Sequence, residues 1–400
     1  MKRKFICIIF AAALLVSACG RKSNNESNKS EDLPHQSIQY DYDAQVFFDV
    51  YSSKIISTDK GYYYFDYSYK KAKNPSYDIY LMFFDRATKK ASPVCSREGC
   101  NHTRKDNCDA LFSWRNEDNR VSDANELWYY DGYLYATLVE TDGSLCLYRI
   151  SMDGSERTKY TTIFEDGVDI GYNMICHRGY IYITYSGERK EQLYRLKIEK
   201  NAEKELVYEE TYDDYDLWFG DLTSYKNGAA FCKYIYSYND QTTKCEIVCY
   251  NPESKKLEKL LEGKDFDSFF IDNKNIYYSV GNEIFVYDID LNVSRPFYEC
   301  DHSVYISYDG RYVYAEVSAA SLRDYNEHYI YVINKEGGLV DTIQAPASQD
   351  CYFGDDYYLF QMFDLNEELN DKSDMPMIKA YDKSQLGTGS HEWTDLPLPN

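Results

Sequence analysis

The 400-residue sequence is poor in positive charge, in proline and in helix-forming segments. It contains 44 Lys and Arg against 66 Asp and Glu, a formal net charge of −22, and only 9 Pro. An anionic surface repels nucleic acid and anionic lipid, so we expect no nucleic-acid partner. Beyond the N-terminal segment the sequence has no Ala-rich helical stretch and no apolar run long enough to cross a membrane.

Short catalytic signatures are also missing. The sequence contains no GxSxG, no HExxH, no P-loop and no GxGxxG in a strand-turn-helix context. The histidines that could act in catalysis are scattered along the chain at positions 102, 177, 302, 328 and 391. The pattern favours a binding protein, although the absence of a motif does not exclude an enzyme.

The first residues have the pattern of an export signal. Lys2, Arg3 and Lys4 precede the apolar run Phe5–Val16, which is too short to span a bilayer. The run ends in Val-Ser-Ala-Cys, which resembles the lipobox of bacterial lipoproteins. The resemblance implies cleavage after Ala18, so that residues 1–18 are a signal peptide, and a lipid on Cys19. The alternative is an ordinary secretory signal that happens to end in Cys.

Residues 19–38 contain almost no apolar side chains and are expected to be a disordered tether. A coil of this length reaches about 25 Å on average. We therefore expect the protein at the extracytoplasmic face of the cell membrane, held there by the lipid on Cys19, with its folded part in residues 39–400.

The aromatic content predicts an all-β fold. Tyr supplies 44 residues and the aromatics together 17% of the chain. One phrase recurs about every 40 to 48 residues: an alternating apolar segment, a tight turn and a Tyr-rich strand. Gly in several of these turns supplies the positive φ of tight hairpins. The copies are IISTDKGYYYF (55–65), LWYYDGYLYATL (127–138), MICHRGYIYITY (174–185), LTSYKNGAAFCKY (222–234), FFIDNKNIYYSV (269–280), VYISYDGRYVYAEV (304–317) and CYFGDDYYLFQMF (351–363).

Each copy is followed by another strand and a polar turn, as in LCLYRISMDGS. One such sheet cannot bury both of its faces, so the sheets must pack around an axis. We predict a β-propeller of seven four-stranded blades. An open sandwich is the alternative, which seven copies argue against. Six or eight blades remain possible, because QVFFDVYSS (45–53) can add a strand.

The phrase LYRISMDGSERTKY resembles the TolB-like and DUF5050-type propeller repeats of bacterial surface proteins. The resemblance implies the architecture and leaves function open. In such blades the long segments 68–78, 95–123, 318–328 and 364–376 fall on one face. Insertions on one face are typical of a binding face, but neutral length variation gives the same pattern.

The segment 95–123, interpreted as a link between two blades, holds the densest chemistry. Cys95, Cys100, His102 and Cys108 follow the pattern Cys-x4-Cys-x-His-x5-Cys. Three thiolates and one imidazole are a common ligand set for structural Zn²⁺. A disulfide among the three cysteines, or thiols without a ligand, are the alternatives. A similar Cys-His segment recurs in propeller lipoproteins of clostridia-like bacteria.

Cysteines elsewhere are predicted to be structural. A hairpin turn near residues 239–242 would place Cys232 opposite Cys249, so a cross-strand disulfide between them is possible.

Three functions are consistent with these features. The first is a non-enzymatic surface module that binds a glycan or a protein, in which exposed aromatics such as Trp114 and Trp128 stack on sugars. The second is an extracellular propeller enzyme, a hydrolase or lyase acting on glycans. The third is a scaffold in a complex of the cell envelope.

Overall fold

The structure, a computed structural model, describes residues 55–70, 76–103, 107–114, 124–165, 172–264, 266–318, 328–345, 351–352, 357–362 and 378–396. The predicted signal peptide 1–18, the tether 19–38 with Cys19, and the segment 45–53 lie outside these ranges. Within them no helix is long and apolar enough to cross a membrane.

Strands of 2 to 11 residues form seven antiparallel sheets. In six sheets, and along the main path of the other, strand order follows chain order. The first four blades contain β1 Ile55–Ser57, β2 Gly61–Lys70, β3 Ser76–Asp85, β4 Lys90–Pro93 and β5 Leu111–Trp114; β6 Ala124–Tyr130, β7 Tyr133–Val139, β8 Leu145–Ile150 and β9 Arg157–Phe164; β10 Tyr172–His177, β11 Tyr180–Gly187, β12 Lys190–Lys197 and β13 Glu205–Thr211; and β14 Tyr215–Tyr225, β15 Gly228–Ser237, β16 Thr242–Asn251 and β17 Lys256–Lys264.

The last three blades are shorter and have the same order. A short 3-10 helix, Lys383–Gln385, follows the third strand of blade 7. The strands are β18 Ser268–Asp272, β19 Asn275–Val280, β20 Glu283–Asp288 and β21 Val293–Glu299; β22 Val304–Tyr308, β23 Tyr312–Val317, β24 Tyr329–Asn334 and β25 Leu339–Gln344; and β26 Cys351–Tyr352, β27 Tyr358–Met362, β28 Ile378–Asp382 and β29 Trp393–Asp395.

Glycine at the first turn of a blade has two different roles. In blade 2, Asp131 and Gly132 both have positive φ, 47° and 80°, as a two-residue hairpin with matching twist requires. In blade 4, Gly228 begins the second strand, and a Cβ atom there would lie 1.9 Å from the carbonyl oxygen of Tyr250. The sequence pattern therefore predicts the turn correctly, but in blade 4 the reason is close approach of the third strand.

The hydrophobic core lies between the blades. Seven clusters of buried side chains fill the seven seams, and each cluster draws its residues from two neighbouring sheets. First strands of neighbouring blades contact each other, as β10 contacts β14 and β14 contacts β18, so first strands line the axis. The chain is thus an all-β, seven-bladed β-propeller, as the repeat predicts.

The ring closes by side-chain packing between blade 1 and blade 7. Tyr62 packs against Phe360 with ring centroids 4.6 Å apart and against Tyr358 at 5.9 Å. Lys89 and Asp382 form an exposed ion pair of 2.9 Å across the same seam. Among the described strands none is exchanged between the first and last blades.

Strand order also determines the two ends of the ring. Connections between first and second strands and between third and fourth strands share one end, which we call the turn face. Connections between second and third strands and between blades share the other, which we call the loop face. The strands joined by residues 71–75, 115–123, 319–327 and 363–377 end at the loop face.

Candidate metal centre

The Cys-rich segment is an insertion within the outer strand of blade 1. Strands β4 and β5 both pair with β3. The N–H of Val94 donates to the carbonyl oxygen of Leu81 at 2.9 Å, and the N–H of Leu81 donates to that of Ala110 at 2.8 Å. The chain therefore leaves the ladder after Val94 and rejoins it at Ala110.

This topology corrects the interpretation of residues 95–123 as a link between blades. Residues 95–109 are an excursion from one strand, and only residues 115–123, outside the described ranges, remain to join β5 to β6. The strand β5, Leu-Phe-Ser-Trp, has only four residues. A short strand of this kind has too few alternating positions to be recognised in a sequence.

The insertion gathers the four residues that the sequence indicated. One donor atom each from Cys95, Cys100, His102 and Cys108 lies within 4.8 Å of the others. The Nδ1 atom of His102 is 3.3 Å from the Sγ atom of Cys108. Ligand atoms around tetrahedral zinc are about 3.5 to 3.8 Å apart, so the cluster can hold a metal ion such as Zn²⁺ with small adjustments.

Backbone N–H groups point at all three sulfur atoms. Arg97 donates to Cys95, His102 to Cys100 at 3.4 Å, and Ala110 to Cys108. Each donor is two residues after its cysteine. An N–H group directed at sulfur stabilises the thiolate, which is the form that binds a metal. The repetition at three cysteines indicates a loop built around sulfur ligands.

The thiols differ in their acidity. Burial raises the pKa of Cys95, but hydrogen bonds from the N–H groups of Arg97 and Asp109 outweigh it, and the pKa lies below the ordinary value. Burial raises the pKa of Cys108 to about 12. A bound cation would favour the thiolate form of both.

The loop needs left-handed backbone at three positions. Gly99, His102 and Asn107 have φ angles of 69°, 54° and 48°. For His102 this conformation is uncommon and costs about 1 kcal/mol or more. The hydroxyl of Tyr80 on β3 donates to the carbonyl oxygen of His102 at 2.9 Å and holds this turn against the sheet.

Asp109 connects the loop to its surroundings. Its carboxylate accepts hydrogen bonds from Ser96 at 2.9 Å and from Arg97 at 2.8 Å. Burial raises the pKa of Asp109, and these hydrogen bonds more than offset that effect, so the pKa is lowered. Arg157 of blade 2 donates to the carbonyl oxygens of Asp109 at 2.8 Å and Leu111 at 2.9 Å. The insertion is therefore anchored to the next blade.

The same insertion packs into the seam where the ring closes. Cys108, Ala110 and Leu111 belong to the buried cluster that joins blade 1 to Phe360 and Ile378 of blade 7, and Cys95 and Cys100 pack against its edge. The candidate metal centre thus lies beside the first and last blades.

The predicted register of the disulfide candidate is wrong. Cys232 lies opposite Ile247, Cys249 lies opposite Ala230, and both are free thiols. The turn between β15 and β16 spans residues 238–241, centred one residue earlier than predicted. A shift of one residue at a turn moves every cross-strand partner by two.

Of the two Trp residues proposed for sugar stacking, only Trp128 has a described side chain, and it is not exposed. Trp128 is fully buried in the seam between blades 2 and 3, and the side chain of Trp114 is outside the described part. Trp218 of blade 4, which the sequence did not single out, is 40% exposed. Its alternation with buried Leu217 and Phe219 in an acidic segment is the signal that would have indicated it.

No protein-family model and no curated protein matches the sequence. Solved structures resemble it in fold. A structure titled oligogalacturonate lyase in complex with manganese is 11% identical at a TM-score of 0.45, over 66% of this chain and 74% of that chain. A prolyl endopeptidase is 14% identical at a TM-score of 0.48, over 84% of this chain and 51% of the other. Sqt1 of Saccharomyces cerevisiae is 10% identical at a TM-score of 0.38, over 86% of this chain and 94% of that chain. Resemblances this distant assign no activity.

Proposed function

We propose that this protein is a lipid-anchored, extracytoplasmic β-propeller that binds a ligand or a partner protein on its loop face without catalysing a reaction. The observation that supports the binding face is the strand order, because three connections of 9 to 15 residues, 115–123, 319–327 and 363–377, join strands that end there, against one of ten residues, 383–392, on the turn face. Repeat proteins often concentrate insertions on the binding face.

The binding face can be tested with protein that lacks residues 1–19. We expect it to retain a glycan on an array or a specific partner from envelope extract. Replacing residues 363–377 by a short Gly-Ser turn should abolish that binding. A Gly-Ser insertion between Asp131 and Gly132, on the turn face, is the control and should leave binding intact. The reverse pattern would place the binding face at the other end of the ring.

The anchor is inferred from the basic residues, the apolar run and Cys19 at the N-terminus. Cells that express the full chain should attach radiolabelled palmitate to it and retain it in the membrane fraction. The variant Cys19→Ala should lose the label. A full chain that is secreted without label would remove the lipid from the proposal and leave an ordinary export signal.

We also infer that Cys95, Cys100, His102 and Cys108 bind one structural Zn²⁺. The gathered donor atoms and the N–H groups directed at the sulfurs support this ligand set. The ion would order the insertion and hold Arg97, Asp109 and Arg157 in their network. Because all four positions are protein ligands, the ion would have no open site for catalysis.

Purified protein should contain about one equivalent of zinc by elemental analysis. The variant Cys100→Ser should lose most of it. Cys300→Ser is the matched control, since Cys300 is buried in the seam between blades 5 and 6, away from the cluster. Mass spectrometry that finds a disulfide among Cys95, Cys100 and Cys108 in native protein would refute the zinc site.

A further inference from the structure

Blade 4 projects beyond blade 5 on the loop face. Counted from the first turn, the second strand of blade 4, β15, has 10 residues, whereas β19 of blade 5 has 6. A difference of four residues corresponds to about 13 Å of strand. The end of blade 4 therefore forms a shelf, which we define as Asp216, Trp218, Tyr234, Tyr236 and Tyr238, on the side that faces blade 5.

An aromatic pair forms the centre of the shelf. Trp218 on β14 lies directly opposite Tyr234 on β15, and their rings stack with centroids 5.1 Å apart and an angle of 10° between planes. Gly220 makes room for this arrangement, because a Cβ atom there would lie 3.1 Å from the Tyr234 ring. Trp218 stays 40% exposed although neighbouring Leu217 and Phe219 are buried. A stacked and exposed indole on an inner strand is a preformed platform for a flat ligand.

Two carboxylates lie beside the platform. The hydroxyl of Tyr238 donates to Asp216, and that of Tyr234 donates to Asp221, so both acids have fixed positions. Tyr238 is 52% exposed, and its ring centroid lies 5.7 Å from that of Tyr236. Residues 209–221, which lead from the loop-face end of blade 3 to the shelf, contain no Lys or Arg, and their acidic members are Glu209, Glu210, Asp213, Asp214, Asp216 and Asp221.

Cations from neighbouring segments pair with three of these acids. Lys190 lies 3.6 Å from Glu209. Lys233 is almost buried and pairs with Glu210 at 2.7 Å. Arg189 lies 3.6 Å from Asp213 in a pair whose members are both largely exposed. Asp216 is exposed beside Trp218, so a carboxylate lies next to the indole and attracts a positively charged ligand.

We propose that the shelf binds a saccharide with protonated amino groups, that is, an oligomer of an amino sugar. The inference rests on the proposed binding function and names its ligand class. The C–H face of a pyranose ring covers the exposed indole of Trp218, and its ammonium group lies near Asp216, where ring and carboxylate both favour a cation. Sugars with carboxylates, such as uronates, are repelled by the same surface.

The test compares three oligomers of equal length with the protein lacking residues 1–19: β-1,4-linked glucosamine, its N-acetylated form and galacturonate. Binding is followed by calorimetry and by Trp fluorescence. We expect the glucosamine oligomer to bind most tightly, its N-acetylated form more weakly and galacturonate most weakly. The affinity for the glucosamine oligomer should fall with added salt. Trp218→Ala should weaken glucosamine binding about tenfold. Asp216→Asn should weaken it and remove most of the preference over the N-acetylated form.

The control is Tyr357→Ala, which removes an aromatic side chain of similar exposure at the first turn of blade 7, on the turn face. It should bind like the wild type. Equal affinity of the wild type and Trp218→Ala, or no binding of glucosamine oligomers by the wild type, would overturn the inference. Tight binding of oligolysine together with no saccharide binding would also overturn it, in favour of a basic peptide. If Trp218→Ala still binds a partner on the loop face, the proposed binding function is supported and this site is not part of it.

Discussion

Glu191 should make the stability of the propeller depend on pH. It lies at the start of the third strand of blade 3 and is 1% exposed. Its carboxyl group accepts hydrogen bonds from the hydroxyl of Ser186 at 2.9 Å and from the N–H of Phe219 in blade 4 at 3.3 Å. Burial raises the pKa of Glu191 from 4.5 to about 7, against the opposing effect of these hydrogen bonds.

The direction of the pH effect follows from this shift. A carboxyl group whose folded pKa exceeds its unfolded value binds its proton more tightly in the folded protein. Its contribution to stability is fully present below about pH 4.5 and is lost as pH rises to about 7. The difference of about 2.5 pKa units corresponds to about 3 kcal/mol. Above pH 7 the folded state contains a buried carboxylate that costs about this much.

The variant Glu191→Gln keeps the shape of the side chain and removes the titration. At pH 8 the free energy of unfolding of this variant should be about 3 kcal/mol higher than that of the wild type. This difference corresponds to a Tm about 5 °C higher. At pH 4 the two proteins should differ little. Thermal unfolding between pH 4 and 8 provides the measurement. Glu209→Gln, on the exposed neighbouring strand, is the control and should give no such trend. A difference that does not change with pH, or a variant that is less stable at pH 8, would refute the reasoning.

Two further predictions concern the seams and the turns. Lys383 and Asp309 form a buried ion pair of 2.6 Å between blades 7 and 6, with side-chain exposures of 3% and 0%. Lys383→Met should therefore lower the free energy of unfolding, measured in urea, by about 3 kcal/mol or more, because it leaves the Asp309 carboxylate buried without its cation. Adding Asp309→Asn should restore part of that free energy. Unchanged stability of the single variant would contradict this. Gly228→Ala should lower the free energy of unfolding, measured in urea, by about 1 to 3 kcal/mol, because the new methyl group would meet the carbonyl oxygen of Tyr250. An unchanged free energy would contradict this and would mean that the third strand can move away.

The architecture was predictable because the same chemistry is repeated in each blade. Alternation in the second strands places Tyr62 and Tyr64, or Ile181 and Ile183, in seams where both members of each pair are buried. Tight first turns separate the strands, and their positive φ falls on glycine in blades 2, 3 and 6 and on Asn273 in blade 5. Each of these signals is short-range, and seven copies of one local pattern determine the global arrangement with little further information.

The parts that the sequence did not predict depend on position in three dimensions. The donor set at Cys95 to Cys108 was visible, but its place inside an outer strand depends on a hydrogen-bond ladder that rejoins at Leu81 after the excursion. The partner of Cys232 depends on the centre of one turn. The exposure of Trp218 depends on blade 5 being shorter than blade 4. The sequence pattern of one blade does not specify these pairings, turn positions or differences in strand length between blades.

The candidate metal centre lies beside the seam between blades 1 and 7, where closure of the ring is least favourable. Six seams join blades that are adjacent in the chain, whereas the seventh joins residues separated by 293 positions, as Lys89 and Asp382 are. In the unfolded chain, closing a loop of that length costs about 5 kcal/mol of entropy, about 2 kcal/mol more than for neighbouring blades. Among the described strands no exchanged strand offsets this cost, so side chains must do so. An insertion that packs against blade 7, is hydrogen-bonded to blade 2 and is ordered by a metal ion would stabilise the ring where closure is least favourable.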